Sequence, residues 1–434
     1  MASHFEPRMS PPMVTRSGRQ SYGLMDAVAR LLILLNLALC VVFPHSFQVP
    51  TAVLLALTTL ICLFAMRSSE YFDRLLPFYF LGVLVSSFYI WLGFTHRAPM
   101  DSVLQNAAVY IVSPLAWLIV STVTFQQYGI EKTVRILVWL TFIAMASVAL
   151  FFFAFLTFGK EAVSFLTDEA NVNVDGGYAG ATILVYGSLI FLCGGAFAEP
   201  NVIKNKFARI LVPGLLVVCA LTSGRSALIL AIPIGFIFGT FVRARSKVAN
   251  ASGEQRKSFL LPTILMGVVM IAVVIIIDIV SDRINLSIIF GEFFDELGSG
   301  GGSLRTDQIS ALLEGVLDTY GVGAGHGIGV DYIRSAIYPW RYEVLPLATL
   351  YRVGVIGTAI YASIFVVYGI AFTRNFYAGT LREEDIYMGG GFVAALLGTF
   401  TNPYMESFIF QWMYFMPVLS IGIVKLHQSN KAGN

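Results

Sequence analysis

The sequence predicts an all-α polytopic membrane protein, and three observations carry that expectation. Of 434 residues, 57% are hydrophobic and only 12% charged, with mean hydropathy +0.76. About twelve apolar stretches are long enough to span a ~30 Å hydrocarbon core. The basic residues, finally, are divided unequally between alternate loops. No soluble fold needs this much apolar surface. Backbone groups in lipid must be satisfied within the segment, so the spans are expected to be helices.

Residues 1–22 are polar, contain Pro7, Pro11 and Pro12, and read as a disordered cytoplasmic tail. No A-x-A cleavage pattern follows, so the first span is expected to be an anchor. Nine spans are predicted within 23–281, near 24–43, 49–66, 75–94, 103–125, 135–158, 178–198, 208–222, 225–242 and 259–280. Only Thr222-Ser223-Gly224 separates the seventh from the eighth. The outer loop near 159–177 carries Glu161, Asp168, Glu169 and Asp175. Its spacing matches no metal-ligand loop and reads as a solvated cap. The inner loop 243–258 is basic and suits a connector touching anionic lipid. A long polar loop, 282–342, comes next. Three further spans fill 343–426, near 344–372, 387–401 and 405–425, and a short tail, 427–434, ends the chain. Cys40, Cys62, Cys193 and Cys219 all fall inside predicted helices with no C-x-x-C spacing, so neither disulfides nor zinc are expected. Asp26, Asp278 and Glu406 fall near span ends and are not expected to act inside the membrane.

With the N-terminus inside, most of the 28 basic residues lie in inner loops, which places both termini in the cytoplasm. The outer side keeps Arg97, Lys160, Arg225, Arg283, Arg305, Arg334, Arg341 and Arg352. All but one are arginine, whose planar fork suits phosphate better than the point charge of lysine. Ion pairing with outer acids is the structural alternative for each.

The 282–342 loop has an organisation of its own. Gly298-Ser299-Gly300-Gly301-Gly302 reads as a hinge, and Ser303 can cap an amphipathic helix over 304–320. Ile309, Leu312, Leu313, Val316, Leu317 and Tyr320 form one predicted face; Asp307, Gln308, Glu314 and Asp318 form the other. Such a helix would lie on the outer membrane surface or pack on the bundle. Arg305 in its first turn opposes the helix dipole, so something negative is expected beside it. The Gly321–Gly329 run allows tight turns and close backbone approach to a ligand. No strand precedes its G-x-G, which excludes a dinucleotide site.

Three segments in order resemble the bacterial O-antigen polymerase/ligase superfamily. Leu221-Thr222-Ser223-Gly224-Arg225-Ser226-Ala227-Leu228 is similar to its T-x-S-R-x-A-L stretch. Leu304-Arg305 through Gly321-Val322-Gly323-Ala324-Gly325 resembles its arginine, amphipathic helix and G-V-G-x-G turn. Arg352-Val353-Gly354-Val355-Ile356-Gly357 is similar to its E-x-G-x-I-G. Together they cover roughly 221–357. Family ligases carry a histidine eleven residues before the first glycine of the third motif, where this chain has Glu343; that departure favours a polymerase over a ligase.

The resemblance implies a GT-C-like helical bundle in the bacterial inner membrane, its active site facing the periplasm. It implies an enzyme that joins undecaprenyl-diphosphate-linked oligosaccharides, serving as both donor and acceptor. Membrane lipids, a chain-length regulator and export machinery are the implied partners, with no nucleic acid. An acceptor hydroxyl attacks the anomeric carbon and the lipid diphosphate leaves. Such a step needs a proton acceptor and cations on the diphosphate. Arg225, Arg305 and Arg352 are the expected diphosphate ligands. Glu343 and His326 are the candidate bases, and Arg341, Trp340 and Tyr342 the candidate sugar contacts. No Asp-x-Asp motif marks the outer face, so no metal or other cofactor is expected. A lipid-linked-oligosaccharide flippase or other transporter is the alternative class. Many carriers join two similar halves by a long cytoplasmic loop; here Glu199–Lys206 is short and the largest loop lies late and outside.

Overall fold

In the computed structural model the apolar runs become helices in the predicted order. The structure describes residues 23–44, 46–163, 172–173, 180–181, 186–222, 226–245, 303–334 and 338–423. Both predicted tails, the 259–280 span with Asp278, the glycine hinge and Arg225 lie outside the described residues. The helices are α1 (Leu24–Val42), α2 (Gln48–Ala65), α3 (Glu70–Thr95), α4 (Met100–Ala107), α5 (Ser113–Phe158), α6 (Tyr186–Ala198), α7 (Lys206–Thr222), α8 (Ser226–Arg245), α9 (Ser303–Asp318), α10 (Leu345–Ala378), α11 (Glu383–Gly398) and α12 (Trp412–Ser420). Apart from a two-residue antiparallel pair, Val172↔Ala181 and Asn173↔Gly180, and short turns, every regular element described is helical.

Among the described residues, five helical runs are long and apolar enough to cross a membrane: Leu24–Val42, Gln48–Ala65, Glu70–Thr95, Met100–Phe151 and Leu345–Ala378. The fourth is 52 residues long and is broken at Gly129, whose φ of 69° and ψ of 171° are not helical. α6 and α8 carry shorter apolar stretches. Near the break, Asp26 pairs with Arg67 at 3.4 Å and accepts from Gln127 Nε2 at 2.8 Å. That network ties the start of α1 to the α2–α3 connector and to α5.

α6, α8 and α11 pack closely, with glycine and alanine at their points of nearest approach. A methyl group added at Gly194 would meet Ala394 Cβ inside van der Waals distance and Gly390 O at 2.8 Å. One at Gly235 would meet the Gly194 carbonyl, and one at Gly239 the Ala198 carbonyl. Where lipid removes the hydrophobic drive between helices, such small faces let backbones approach and dispersion accumulate.

Three irregularities then position the candidate site. α10 is broken at Gly354 (φ 65°, ψ −174°). A π-helical turn, Ala108–Val112, joins α4 to α5. The last predicted span, 405–425, is shorter than expected: only Trp412–Ser420 forms α12, and 399–411 is a folded connector. Pro403 and the buried hydrogen bonds made by Gln411 hold that connector out of a helix. Gln411 Nε2 donates to Val109 O and Met405 O, both at 2.9 Å, and its Oε1 accepts from Ser113 Oγ at 2.7 Å. Trp117 Nε1 donates to Phe408 O at 2.6 Å. Gln411 of the connector therefore satisfies a carbonyl of the π turn, and Trp117 of α5 satisfies one of the connector.

Gly194→Val is expected to destabilise the protein by about 1–3 kcal/mol or to prevent folding, through overpacking. Gly369 has nothing within 4 Å of an added methyl, so Gly369→Ala should be neutral or stabilising by up to about 1 kcal/mol. Unfolding midpoints in detergent check the pair.

Candidate active site

The glycine run is bound into the backbone of two helices. Ala324 N–H donates to Tyr351 O and Gly325 N–H to Arg352 O, both at 2.9 Å, and Val355 N–H donates to Gly321 O at 3.0 Å. These are groups that the break at Gly354 frees from the helical ladder of α10. On the other side His326 N–H donates to Tyr89 O at 2.8 Å, and the Tyr89 hydroxyl donates to Val322 O at 2.5 Å. Gly323 and Gly325 have φ of 106° and 104°, and a methyl on Gly325 would strike Gly93 in α3. The close approach expected of these glycines is thus to α3 and α10, and no ligand is needed to explain it.

Beneath this strap lies a buried polar cluster. Arg352 precedes the α10 break and is 1% exposed. Its guanidinium donates short hydrogen bonds to Glu406 Oε1 and Trp340 O, and its Cζ lies 5.8 Å from the Tyr342 ring centroid. The Tyr110 hydroxyl, carried by the π turn, donates to the same Glu406 oxygen at 2.5 Å. Tyr110 also faces the His326 ring at 4.6 Å and stacks on Tyr361 at 5.3 Å. His326 Nε2 shares a 3.0 Å hydrogen bond with the Tyr361 hydroxyl, which lies 2.8 Å from Ser86 Oγ. Burial, and then the Arg352 charge, push the His326 imidazole down to about 3, so it is neutral at physiological pH. An apolar cavity of about 210 Å³ opens beside Tyr110 and Tyr361, walled by Tyr79, Leu345, Phe365 and Phe415.

A second cluster stands at the head of α10. Glu343 takes Arg305 Nε on Oε2 at 2.9 Å and an Arg334 amine on Oε1 at 2.7 Å. Its backbone N–H and that of Val344 donate to Gln308 Oε1 at 2.7 and 3.1 Å. Gln308 therefore caps orphan donors at the N-terminus of α10. The carboxylate expected beside Arg305 is present, and it is Glu343. Arg341 lies over the Tyr338 ring at 4.7 Å, half-buried. The two clusters meet in the segment 338–343, which supplies Trp340 O to one and Glu343 to the other.

Neither a family model nor a curated protein matches the chain.

The predicted site residues separate into these clusters. Arg305, Glu343 and Arg341 lie in the outer one, where side chains retain solvent access. Arg352 does not join them as an open phosphate ligand, because its guanidinium is enclosed and committed to Glu406 and Trp340. His326 is sealed off as well, and its Nδ1 has no hydrogen-bond partner among the described residues. Trp340 is buried with its N–H on Gln105 Oε1 at 3.1 Å, and Tyr342 is fully buried with its oxygen accepting Val330 N–H at 2.6 Å. Both rings are packed into the protein. The amphipathic helix also needs correction. Gln308 belongs to the packed face, one turn before the fully buried Leu312, while Ile309, Leu313, Leu317 and Tyr320 are exposed. Capping α10 outweighs the apolar pattern at this position.

Sequence reasoning set Glu406 aside as a span-end acid and missed Tyr110 and Tyr361; in the structure Glu406 is buried against Arg352. One signal was available for Glu406. An arginine within an apolar span demands a partner, and Glu406 is an acid within the last apolar stretch.

Glu406→Gln leaves a buried guanidinium without its counter-charge and is expected to cost about 3–5 kcal/mol. Arg352→Met combined with Glu406→Leu should recover much of that loss, measured as unfolding midpoints beside the Arg352→Met and Glu406→Leu single variants. His326 gives a second expectation. Its folded pKa lies below the unfolded value, so its contribution is intact above about pH 6.5 and is lost as pH falls toward the folded value. Each unit costs about 1.4 kcal/mol in that window. The unfolding midpoint of His326→Asn should therefore fall less between pH 7 and pH 5 than that of wild type.

Proposed function

We propose that the chain is a membrane glycosyltransferase that polymerises polyprenyl-diphosphate-linked oligosaccharide repeat units into capsular, exopolysaccharide or O-antigen chains. The observation that carries this reading is the convergence of Arg305 and Arg334 on Glu343, on a polar segment between apolar helices. In this reading the chain lies in the bacterial inner membrane as about twelve helical segments, not all of them long enough to cross it alone, with both termini in the cytoplasm. The 52-residue run broken at Gly129 then supplies two of the crossings, since at 1.5 Å per residue it is far longer than one needs. The exposed stripe Ile309–Leu313–Leu317 on α9 suits a helix lying in the outer interface.

The acceptor hydroxyl oxygen forms a new bond to the anomeric carbon of the donor. The bond from that carbon to the phosphate oxygen breaks, and the lipid diphosphate leaves with the electron pair. Arg305, with Arg225 from the neighbouring motif, holds the growing negative charge by hydrogen bonds and field. Glu343 takes the hydroxyl proton, and accepting it requires the carboxylate to leave at least one of its two arginines. The apolar cavity beside Tyr110 and Tyr361 offers room for part of an isoprenoid chain.

One observation favours transport instead. α10 is broken around a buried ion pair, and discontinuous helices with intramembrane charges recur at transporter binding sites. Incubating purified protein with lipid-diphosphate-linked repeat units separates the two. Wild type should extend chains, Arg305→Ala should slow extension by about 10²–10³, and Glu343→Gln should abolish it while still folding. Movement of lipid-linked sugar across vesicles without new glycosidic bonds would establish the transporter reading.

A further inference from the structure

Helix α9 carries three stripes, and the fold uses one of them. Gln308, Leu312 and Val316 pack inward toward α10. Ile309, Leu313 and Leu317 form a second stripe that is exposed, and Tyr320 continues it past the end of the helix. Asp307, Glu314 and Asp318 form a third, exposed and acidic. At about 100° per residue the three lie roughly a third of a turn apart. An apolar stripe set apart from an acidic one is the division made by a helix at a headgroup boundary, with acyl chains on one side and water on the other.

The end of α9 gives an independent observation. Gly321 N–H donates to Val316 O and Tyr320 N–H to Leu317 O, both at 2.9 Å. That paired bonding stops a helix by putting one residue in the left-handed region, and the residue is usually glycine. Here it is Tyr320, with φ of 52°, where a Cβ is strained. Tyr320 is also 92% exposed, so no packing within the protein offsets the strain. At a headgroup boundary an amphipathic ring is favoured, and the strain has a counterpart there.

The next residue joins this end of α9 to a second apolar surface. Gly321 O accepts from Val355 N–H at 3.0 Å. Val355 and Ile356 are exposed on α10, a run long and apolar enough to cross a membrane. Exposed Tyr320 and Val322 stand either side of Gly321. The stripe thus runs on into the surface that a membrane-crossing α10 turns to acyl chains, and lipid is the one occupant that fits both.

We propose that Ile309, Leu313, Leu317 and Tyr320 form a docking surface for the headgroup–acyl boundary of the bilayer, and that seating there holds the packed face of α9 on Glu343. The membrane then helps to assemble the outer cluster. Lipid under the stripe keeps Gln308 on the Glu343 and Val344 amides, and lifting α9 withdraws it. The proposal needs α10 in a bilayer and nothing from the sugar chemistry, so it and the polymerase reading can fail separately.

Spin labelling of the full chain in phosphatidylcholine nanodiscs tests the seat. All four native cysteines are buried, so a nitroxide can be placed at Leu317→Cys and, for comparison, at Glu314→Cys. The label at 317 should be open to oxygen and shielded from an aqueous nickel chelate, with the reverse at 314. A 317 label open to the chelate places the stripe in water, and one closed to both reagents places it under protein. Either result overturns the proposal, as does a 314 label that behaves like the one at 317. Hydrogen exchange at the Glu343 and Val344 amides reads the coupling. Leu313→Gln with Leu317→Gln keeps helix propensity and should speed that exchange in nanodiscs by about tenfold or more. Tyr320→Gly separates seating from folding, because it relieves the backbone strain. Exchange should quicken if the ring is seated in lipid, and hold or slow if the ring faces water. Unchanged or slower exchange in either variant overturns the coupling, and Tyr320→Gly carries the test alone should the double variant fail to fold.

Discussion

The ion pair between Arg352 and Glu406 is the contact around which the site is assembled. An enclosed guanidinium is tolerable only when its counter-charge and its hydrogen-bond acceptors are held in place. Glu406 comes from the connector after α11, Trp340 O from the segment before α10, and the Tyr110 hydroxyl from the π turn. Two separate parts of the chain are thereby fixed to one side chain of α10, and the π turn joins them through Glu406. The packing of Tyr110 on His326 and Tyr361 extends the anchoring to the glycine strap and to Ser86 on α3.

Backbone accounting explains the irregular geometry around it. A break in an apolar helix exposes carbonyls and amides that lipid cannot satisfy. The strap from Gly321 to His326 satisfies those at Gly354 and takes its own partners from α3. Gln411 does the same for Val109 at the π turn. The departures at Gly354 and at the π turn are thus matched by named partners elsewhere, and they bring Arg352 and Tyr110 toward the same interior cluster.

The all-helical architecture was legible in the sequence, because apolar run length marks where helices form; of the twelve expected spans, five described runs are long and apolar enough to cross a membrane. The outer arginine cluster was legible in part. A first-turn arginine calls for a nearby anion, and Glu343 stands at the head of the following span. What could not be read was pairing across distance: Arg352 and Glu406 are 54 residues apart, and Tyr110 reaches Glu406 over 296. Glycines likewise disclosed conformational freedom without saying that another backbone was the object of the close approach. Trp340 and Tyr342 have the composition of a membrane interface or a sugar site, and only tertiary packing shows that they are enclosed.

Arg305 and Gln308 sit one helical turn apart on α9 and both engage Glu343, one through its side chain and the other through its main chain. A slip of α9 by a single residue would turn that face by about 100° and move it by about 1.5 Å. Both contacts would be lost together, so the helix has one productive docking position and no graded series of partial ones. Insertions or deletions inside α9 are therefore intolerable, and the chain that leads out of it is held to the same register by the strap on α3 and α10.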